Sequence, residues 1–495
     1  MIKTFAIISH PDAGKTTFTE QLLYVSGAIN QIGAVKSKKT TKAATSDWMA
    51  MEQERGISVS TSALKFYYKN LQVNLLDTPG HGDFSEDTYR TLSAVDCALM
   101  IIDAAKGVED RTIKLMEVCR LRNIPIFTFI NKLDRETKEP FDLLDEIEKV
   151  LKLTCVPKNW PISSGKSFKG LWDLSNKSFI SYKNRIYDES EKQQLNDDIE
   201  MINGAVDEFS KDKFLNGQQT PVFFGSAINT FGMDSFLNAF IELAPFPTAR
   251  ESSIRLVAPD EKKLTGFTFK IQSNMDPKHH DRIAFLRIVS GTFTKGMKLF
   301  HVRSKKKINI KAVDLFGNDR NEIEEAHSGD IIGIHNYGNI NVGDTFTQGE
   351  SLRFLGIPSF APLLFKSIRS TDPLKQKALL KGVMQLCEEG ATQLFRPIIG
   401  NNIILGAIGP LQFDVVMHRL KNEYKVDCIL ESSTIATVRW VNGDLKEHEE
   451  FLSSHLAHDV SQRLVYLAPS MSHLYLWQDK LKNVKLNSIQ ELAEY

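Results

Sequence analysis

Phe5-Ala6-Ile7-Ile8-Ser9-His10-Pro11-Asp12-Ala13-Gly14-Lys15-Thr16-Thr17-Phe18, close to the start of a 495-residue chain, is the stretch on which the reading of the fold turns. Four apolar residues end at Ser9, a polar stretch follows, and from Phe18 through Leu22 and Leu23 the apolar spacing becomes helical. Strand, loop and helix in that order is the setting in which backbone N–H groups at a helix N-terminus cradle anionic oxygens. Residues 9–16 fit GxxxxGK[ST] except that Ser9 stands at the first glycine. In this reading Ser9, His10, Pro11, Asp12, Ala13, Gly14, Lys15, Thr16 and Thr17 surround phosphate groups. Lys15 reaches the β and γ phosphates, and the Thr16 hydroxyl ligates Mg²⁺. Taken alone, Gly-Lys-Thr is a frequent accident, so the loop needs company.

The company lies at the ends of later strands. Apolar runs at 73–76, 98–102 and 126–130 end at Asp77, Asp103 and Asn131, with helical spacing between them such as 112–121. Continuous apolar strands alternating with helices predict a doubly wound α/β sheet that binds ligands at its carboxyl edge. Asp77-Thr78-Pro79-Gly80-His81 closes one strand, placing a carboxylate near Mg²⁺ and the Gly80 N–H toward the γ phosphate. Asn131-Lys132-Leu133-Asp134 closes another, and the Asp134 carboxylate can accept from guanine N1 and N2 together, which adenine cannot answer. After a run at 222–224, Ser226 and Ala227 are placed to offer backbone N–H groups to guanine O6. Together these loops read as a GTP/GDP site requiring Mg²⁺.

The rest of the chain divides by pattern. An irregular, polar stretch at about 154–220 reads as an insertion in a nucleotide-binding domain spanning 1–250, which Pro245 and Pro247 close as a linker. Glycine-punctuated strands then predict an antiparallel β-barrel domain at 258–355. An α+β domain at 360–495 follows, with a helix-like stretch near Ile489 expected as a loosely held tail. Lys plus Arg and Asp plus Glu are equal at 61 each, so any nucleic-acid contact must be local. Lys36, Lys38, Lys39 and Lys42, and Arg303 with Lys305, Lys306 and Lys307, are the two basic clusters, each read first as a solvated surface. Five dispersed cysteines exclude a disulfide framework, and no secretory or membrane-spanning segment is evident, so a cytoplasmic protein without a membrane role is expected.

The stretch HPDAGKTT, the segment TSDWMAMEQERGISVSTS, the DTPGH loop and NKLD resemble the translational GTPases. Within that family the chain is similar to the class II peptide chain release factors. The likeness rests on Ser46 to Met49, Arg55 to Ser58 and Phe84 to Arg90, and further on Gly266-Phe267, Asp276 to His279 and Phe395-Arg396-Pro397. It implies that Ser58 stands where relatives place the threonine that ligates Mg²⁺ in the GTP state. It implies too that Asp12 lies near the phosphates, where helix capping is the equal alternative. His81 becomes the catalytic residue that positions the attacking water once the ribosome orders it. The turn 406–414 is similar to a ferredoxin-like domain of elongation factor G, its helix requiring only core packing. The implied partners are the ribosome and class I release factors, whose dissociation a monomeric GTPase would drive during termination. Another ribosomal GTPase (an elongation factor G-like or ribosomal protection factor) and a metabolic regulatory GTPase stand as alternatives; the Asn131 to Asp134 loop argues against a small-molecule kinase.

Overall fold

The computed structural model describes residues 1–29, 52, 58–273, 282–315, 321–445, 452–481 and 484–492. The Lys36 to Lys42 cluster, Ser46 to Met49, Arg55 to Ile57 and Asp276 to His279 lie outside the described residues.

The first region is built on β1 (Ile2–Ser9), β2 (Ser62–Tyr68), β3 (Leu71–Asp77), β4 (Cys97–Asp103) and β5 (Ile126–Asn131). β6 (Thr154–Pro157), β7 (Asn159–Ile162), β8 (Gly170–Asp173), β9 (Ser178–Ser181) and β10 (Gln219–Phe224) follow. The main sheet runs β2-β3-β1-β4-β5-β10-β6, parallel except for β2 at its edge. Helices α1 (Lys15–Val25), α2 (Ser85–Leu92), α3 (Asp110–Leu121) and α4 (Pro140–Leu151) alternate with the strands; α5 (Glu189–Ala205), α6 (Lys211–Leu215) and α7 (Met233–Leu243) come later. Because side chains alternate across a strand, Phe5 and Ile7 enter one core with Phe127, Phe129 and Phe236, while Ala6 and Ile8 enter the other with Met100 and Ile147. Both faces are covered, which is why stretches such as Phe5 to Ile8 and Ala98 to Ile102 are apolar without a break. β2 carries no such run; only one of its faces is buried, so its residues alternate.

The stretch at about 154–220 is more regular than its composition suggests. β6 extends the main sheet beside β10. β7, β8 and β9 form a sheet of their own. Trp160 is fully buried there, its indole N–H donating to Asp198 of α5 at 2.9 Å. Asp188 and Glu191 close a reciprocal capping box at the start of that helix.

A short hairpin, β11 (Arg250–Glu251) and β12 (Leu256–Val257), leads to the second region. It contains β13 (Thr265–Ser273), β14 (Arg282–Ser290), β15 (Thr292–Thr294), β16 (Lys298–His301), β17 (Lys306–Asn309), β18 (Ala312–Val313), β19 (Glu325–His327), β20 (Ile331–His335) and β21 (Thr345–Thr347). Its antiparallel sheet runs β17-β16-β21-β13-β14-β20-β18 and curls around Ile271, Leu286, Ile332 and Phe346. β17 and β18 are not paired with each other, so the barrel is an open half-barrel. Arg303 is drawn into it by Asp344, at 2.6 and 2.8 Å, while Lys306 and Lys307 stay on an exposed edge strand.

In the third region β23 (Leu364–Ser370), α8 (Gln376–Glu389), β24 (Gln393–Pro397), β25 (Ile403–Ala407), α9 (Pro410–Asn422) and β26 (Cys428–Ser432) follow one another. The antiparallel order β26-β23-β25-β24 is ferredoxin-like. The sheet does not stop there: β28 (Leu456–Asp459) pairs with β24, and β29 (Leu464–Ala468), β27 (Thr437–Asn442) and β30 (Lys485–Asn487) continue it. Helix α10 (Met471–Lys480) packs on this extension. The expected loose, helix-like tail is a strand instead, β31 (Ile489–Glu491), paired with β22 (Pro358–Phe360). The Glu491 carboxylate accepts the N–H groups of Gly356 and Ile357 at 3.0 Å each, which fixes a segment too short to hold by ladder bonds alone.

The first two regions are joined by a buried ion pair: Arg287 of β14 makes two 2.7 Å bonds to Asp96, ahead of β4. Thr4 donates to the Gly329 carbonyl at 2.7 Å, and Lys65 lies 3.2 Å from Asp314 and 3.4 Å from Asp330. No described helix is long and apolar enough to cross a membrane.

Candidate nucleotide site

β1 ends at Ser9 and α1 starts at Lys15, so the phosphate loop is a five-residue turn at the carboxyl edge of the sheet. Ser9 is still in strand register, opposite Ile101, and its hydroxyl donates to the His10 carbonyl at 2.9 Å. The left-handed positions fall at Asp12 (φ 65°) and Gly14 (φ 94°) instead. A glycine is thus not required at residue 9, which resolves the departure from the usual pattern. At Gly14 it is required twice over: the backbone is left-handed, and an added Cβ would lie 2.5 Å from the Asn131 amide nitrogen. His10 is paired with Glu109 at 3.2 Å.

Lys15 is buried and ion-paired with Asp77. The other oxygen of that carboxylate, Asp77 Oδ2, is buried without a hydrogen-bond partner among the described residues. The Thr16 and Ser58 hydroxyls lie 3.4 Å apart. An orphaned carboxylate oxygen and a pair of facing hydroxyls are the oxygen donors an Mg²⁺ site draws on, with waters and phosphate oxygens completing it. Thr78 is tied to the Ile7 carbonyl at 2.7 Å, Thr88 donates to the Pro79 carbonyl at 3.3 Å, and Gly80 lies against Pro11. His81 follows on the solvent side, capping a short turn: its Nδ1 accepts the Asp83 N–H at 3.2 Å.

The loops at the ends of β5 and β10 are stapled by Asn131. Its amide donates to the Ala13 carbonyl at 2.9 Å, and its Oδ1 accepts from Ala227 N–H at 2.8 Å. Lys132 reaches the Asp12 carbonyl at 2.5 Å and Asp103 Oδ2 at 2.7 Å, holding phosphate loop and base loop together. Leu133 is buried, its N–H on the Gly225 carbonyl at 3.2 Å. Asp134 accepts the Ser226 hydroxyl at 2.5 Å, and Asn229 donates to that hydroxyl at 2.9 Å.

Ser226 N–H donates to the Phe231 carbonyl and Ala227 N–H to Asn131 Oδ1, so that Ala227 anchors Asn131 while the Ser226 hydroxyl orients Asp134. Sequence reasoning missed Asp103, whose only signal was its place at the end of β4. Burial pushes its carboxyl up, but the Lys132 hydrogen bond and the Ala105 N–H outweigh this, so its pKa lies below the ordinary value. The other omission is a network behind the site. Asp87 of α2 accepts Thr61 N–H at 2.6 Å and meets Lys270 of β13 at 3.2 Å. Ser60 accepts from Lys270 and donates to Gln272 at 2.9 Å; Gln272 donates to Glu389 at 3.1 Å, which also takes Arg419 at 2.8 Å. Residues just beyond Ser58 are thereby wired to both later regions.

Residues 1–246 match the elongation factor Tu GTP binding domain family. With the strand-end loops described above, that makes the protein a GTP-hydrolysing P-loop switch of the translation apparatus. Residues 263–349 match elongation factor G domain 2, and residues 354–478 match the C-terminal domain of class II release factor RF3. The chain belongs to the translational GTPases of the class II release factor type, RF3-like, which act at the ribosome. Its fold is similar to a crystal structure from Thermus thermophilus at 23% identity and a TM-score of 0.74, covering 90% of this chain and 69% of that one.

Proposed function

We propose that this GTPase acts at the end of translation termination, displacing class I release factors from the ribosome after peptide release and leaving on hydrolysis of GTP. The observation that carries the reading is the join of a guanine-specific switch to a class II release factor C-terminal domain in one chain. The chain is read as three working units, 1–250, 258–355 and 360–495, acting as a monomer in the cytoplasm.

Phosphoryl transfer asks for positioning and charge stabilisation rather than a nucleophilic side chain. The phosphate loop supplies convergent N–H groups at the start of α1, and Lys15 exchanges Asp77 for the β and γ phosphates. Thr16 and Ser58 would hold Mg²⁺ with the Asp77 carboxylate near it, and the ion supplies charge neutralisation when bound. Gly80, packed against Pro11, is read as the γ phosphate contact. His81 orients the attacking water. Asp134 reads the base, held by Ser226.

The test is the rate at which a labelled class I release factor leaves post-termination ribosomes. Wild type with GTP should accelerate departure, GDP should not support turnover, and His81→Ala should lower hydrolysis by about 10²- to 10³-fold. A wild-type protein that hydrolyses GTP on ribosomes yet leaves the departure rate unchanged would sink the assignment.

A further inference from the structure

Two residues past His81, the carboxylate of Asp83 is shared between two domains. Its Oδ1 lies 3.3 Å from His81 Nδ1, the atom that also accepts the Asp83 N–H. Its Oδ2 accepts the N–H of Leu411 at 2.8 Å, in the first turn of α9, 328 residues away in the chain. Gly409, just before that helix, makes the approach possible: a Cβ there would run into the Asp83 carboxyl group. Val59, Phe84, Leu411 and Val415 form an apolar cluster that seals the join.

We propose that Asp83 is a positioning residue for His81 and that docking of α9 sets its grip. With α9 in place, Leu411 N–H fixes the carboxylate beside Nδ1, where it accepts from that nitrogen whenever the nitrogen carries a proton; when it does not, Nδ1 accepts the Asp83 N–H. The ring is then pinned by one nitrogen, and Nε2 is its working end. When α9 withdraws, the carboxylate loses its anchor and the imidazole its fixed tilt. The third region thereby controls the rate of GTP hydrolysis through a contact made on Asp83. The inference rests on the reading of His81 as the residue beside the attacking water.

The experiment is single-turnover GTP hydrolysis on ribosomes, with GDP binding and melting temperature measured on each variant. Gly409→Ala pushes the carboxylate off α9; Asp83→Ala removes it. Each should lower kcat by about 10- to 10²-fold with little change in KM, as a misplaced catalytic group does. The double variant should be no slower than Asp83→Ala alone, and Asp83→Asn, whose amide oxygen still accepts from Leu411, should retain most of the rate. Leu411→Pro deletes the donor at a first-turn position where helices tolerate proline, and decides the matter if Gly409→Ala fails to fold. Multiplying effects in the double variant, or wild-type kcat in Gly409→Ala and Leu411→Pro, would overturn the proposal. If His81→Ala keeps full activity, the reading of His81 fails instead.

Discussion

Gly14 and Asn131 are one joint seen from two sides. The left-handed turn at Gly14 leaves room for the Asn131 amide, and that amide ties the phosphate loop to both base loops. Gly14→Ala therefore strains the backbone and evicts Asn131, at a cost of about 1–3 kcal/mol, read as a loss of roughly 5- to 150-fold in GDP affinity. Ser226→Ala removes a single hydrogen bond to Asp134 and should weaken GDP binding by about 0.5–1.5 kcal/mol; isothermal titration of both variants checks the ranking. The residue types at this site were legible because Gly, Lys, Thr, Asp and Asn each have few jobs at a strand end. What was not legible was direction. Nothing in the letters Ser226-Ala227 says that both N–H groups turn inward, because that depends on where Phe231 and Asn131 arrive in space.

Helix α2 links the first region to the second through Asp87 and Lys270. Burial raises the carboxyl of Asp87, but the Lys270 ammonium and the Thr61 hydrogen bonds prevail, and its pKa lies below the ordinary carboxylate value. A lowered folded value means that the stabilisation is fully present above the unfolded value, about 3.9, and is lost as pH falls through the lower folded one. The stability gap between wild type and Asp87→Asn, measured by urea unfolding, should hold steady near neutral pH and close only in acid below about pH 4. A gap that closes near pH 6–7 would point to a histidine instead. Periodicity revealed the strands and helices with two buried faces, such as β1 and β4. It passed over β2, half-exposed at the edge, and misjudged β31, a three-residue strand whose hold comes from the Glu491 carboxylate rather than from apolar spacing.

Across the whole molecule, the half-barrel is clamped to the first region by Asp96 and Arg287, with side chains 0% and 1% exposed. Removing one partner strands a buried charge: Asp96→Ala or Arg287→Ala should each cost about 3–5 kcal/mol, and a paired apolar replacement should cost less than either. The order α/β, antiparallel β, then α+β could be read from the pattern of apolar runs, glycines and prolines. The clamp could not, since its partners stand 191 residues apart and each looks like an ordinary surface charge in sequence. The same holds for Asp83 and Leu411, which meet only in the folded chain. All of these contacts serve one claim, that guanine nucleotide bound at Asp134 drives a ribosomal event. The most direct measurement is departure of a labelled class I release factor from post-termination ribosomes with GTP or XTP, using wild type and Asp134→Asn, whose amide matches the xanthine edge. Wild type should work with GTP and the variant with XTP; equal acceleration by both nucleotides in both proteins would contradict the claim.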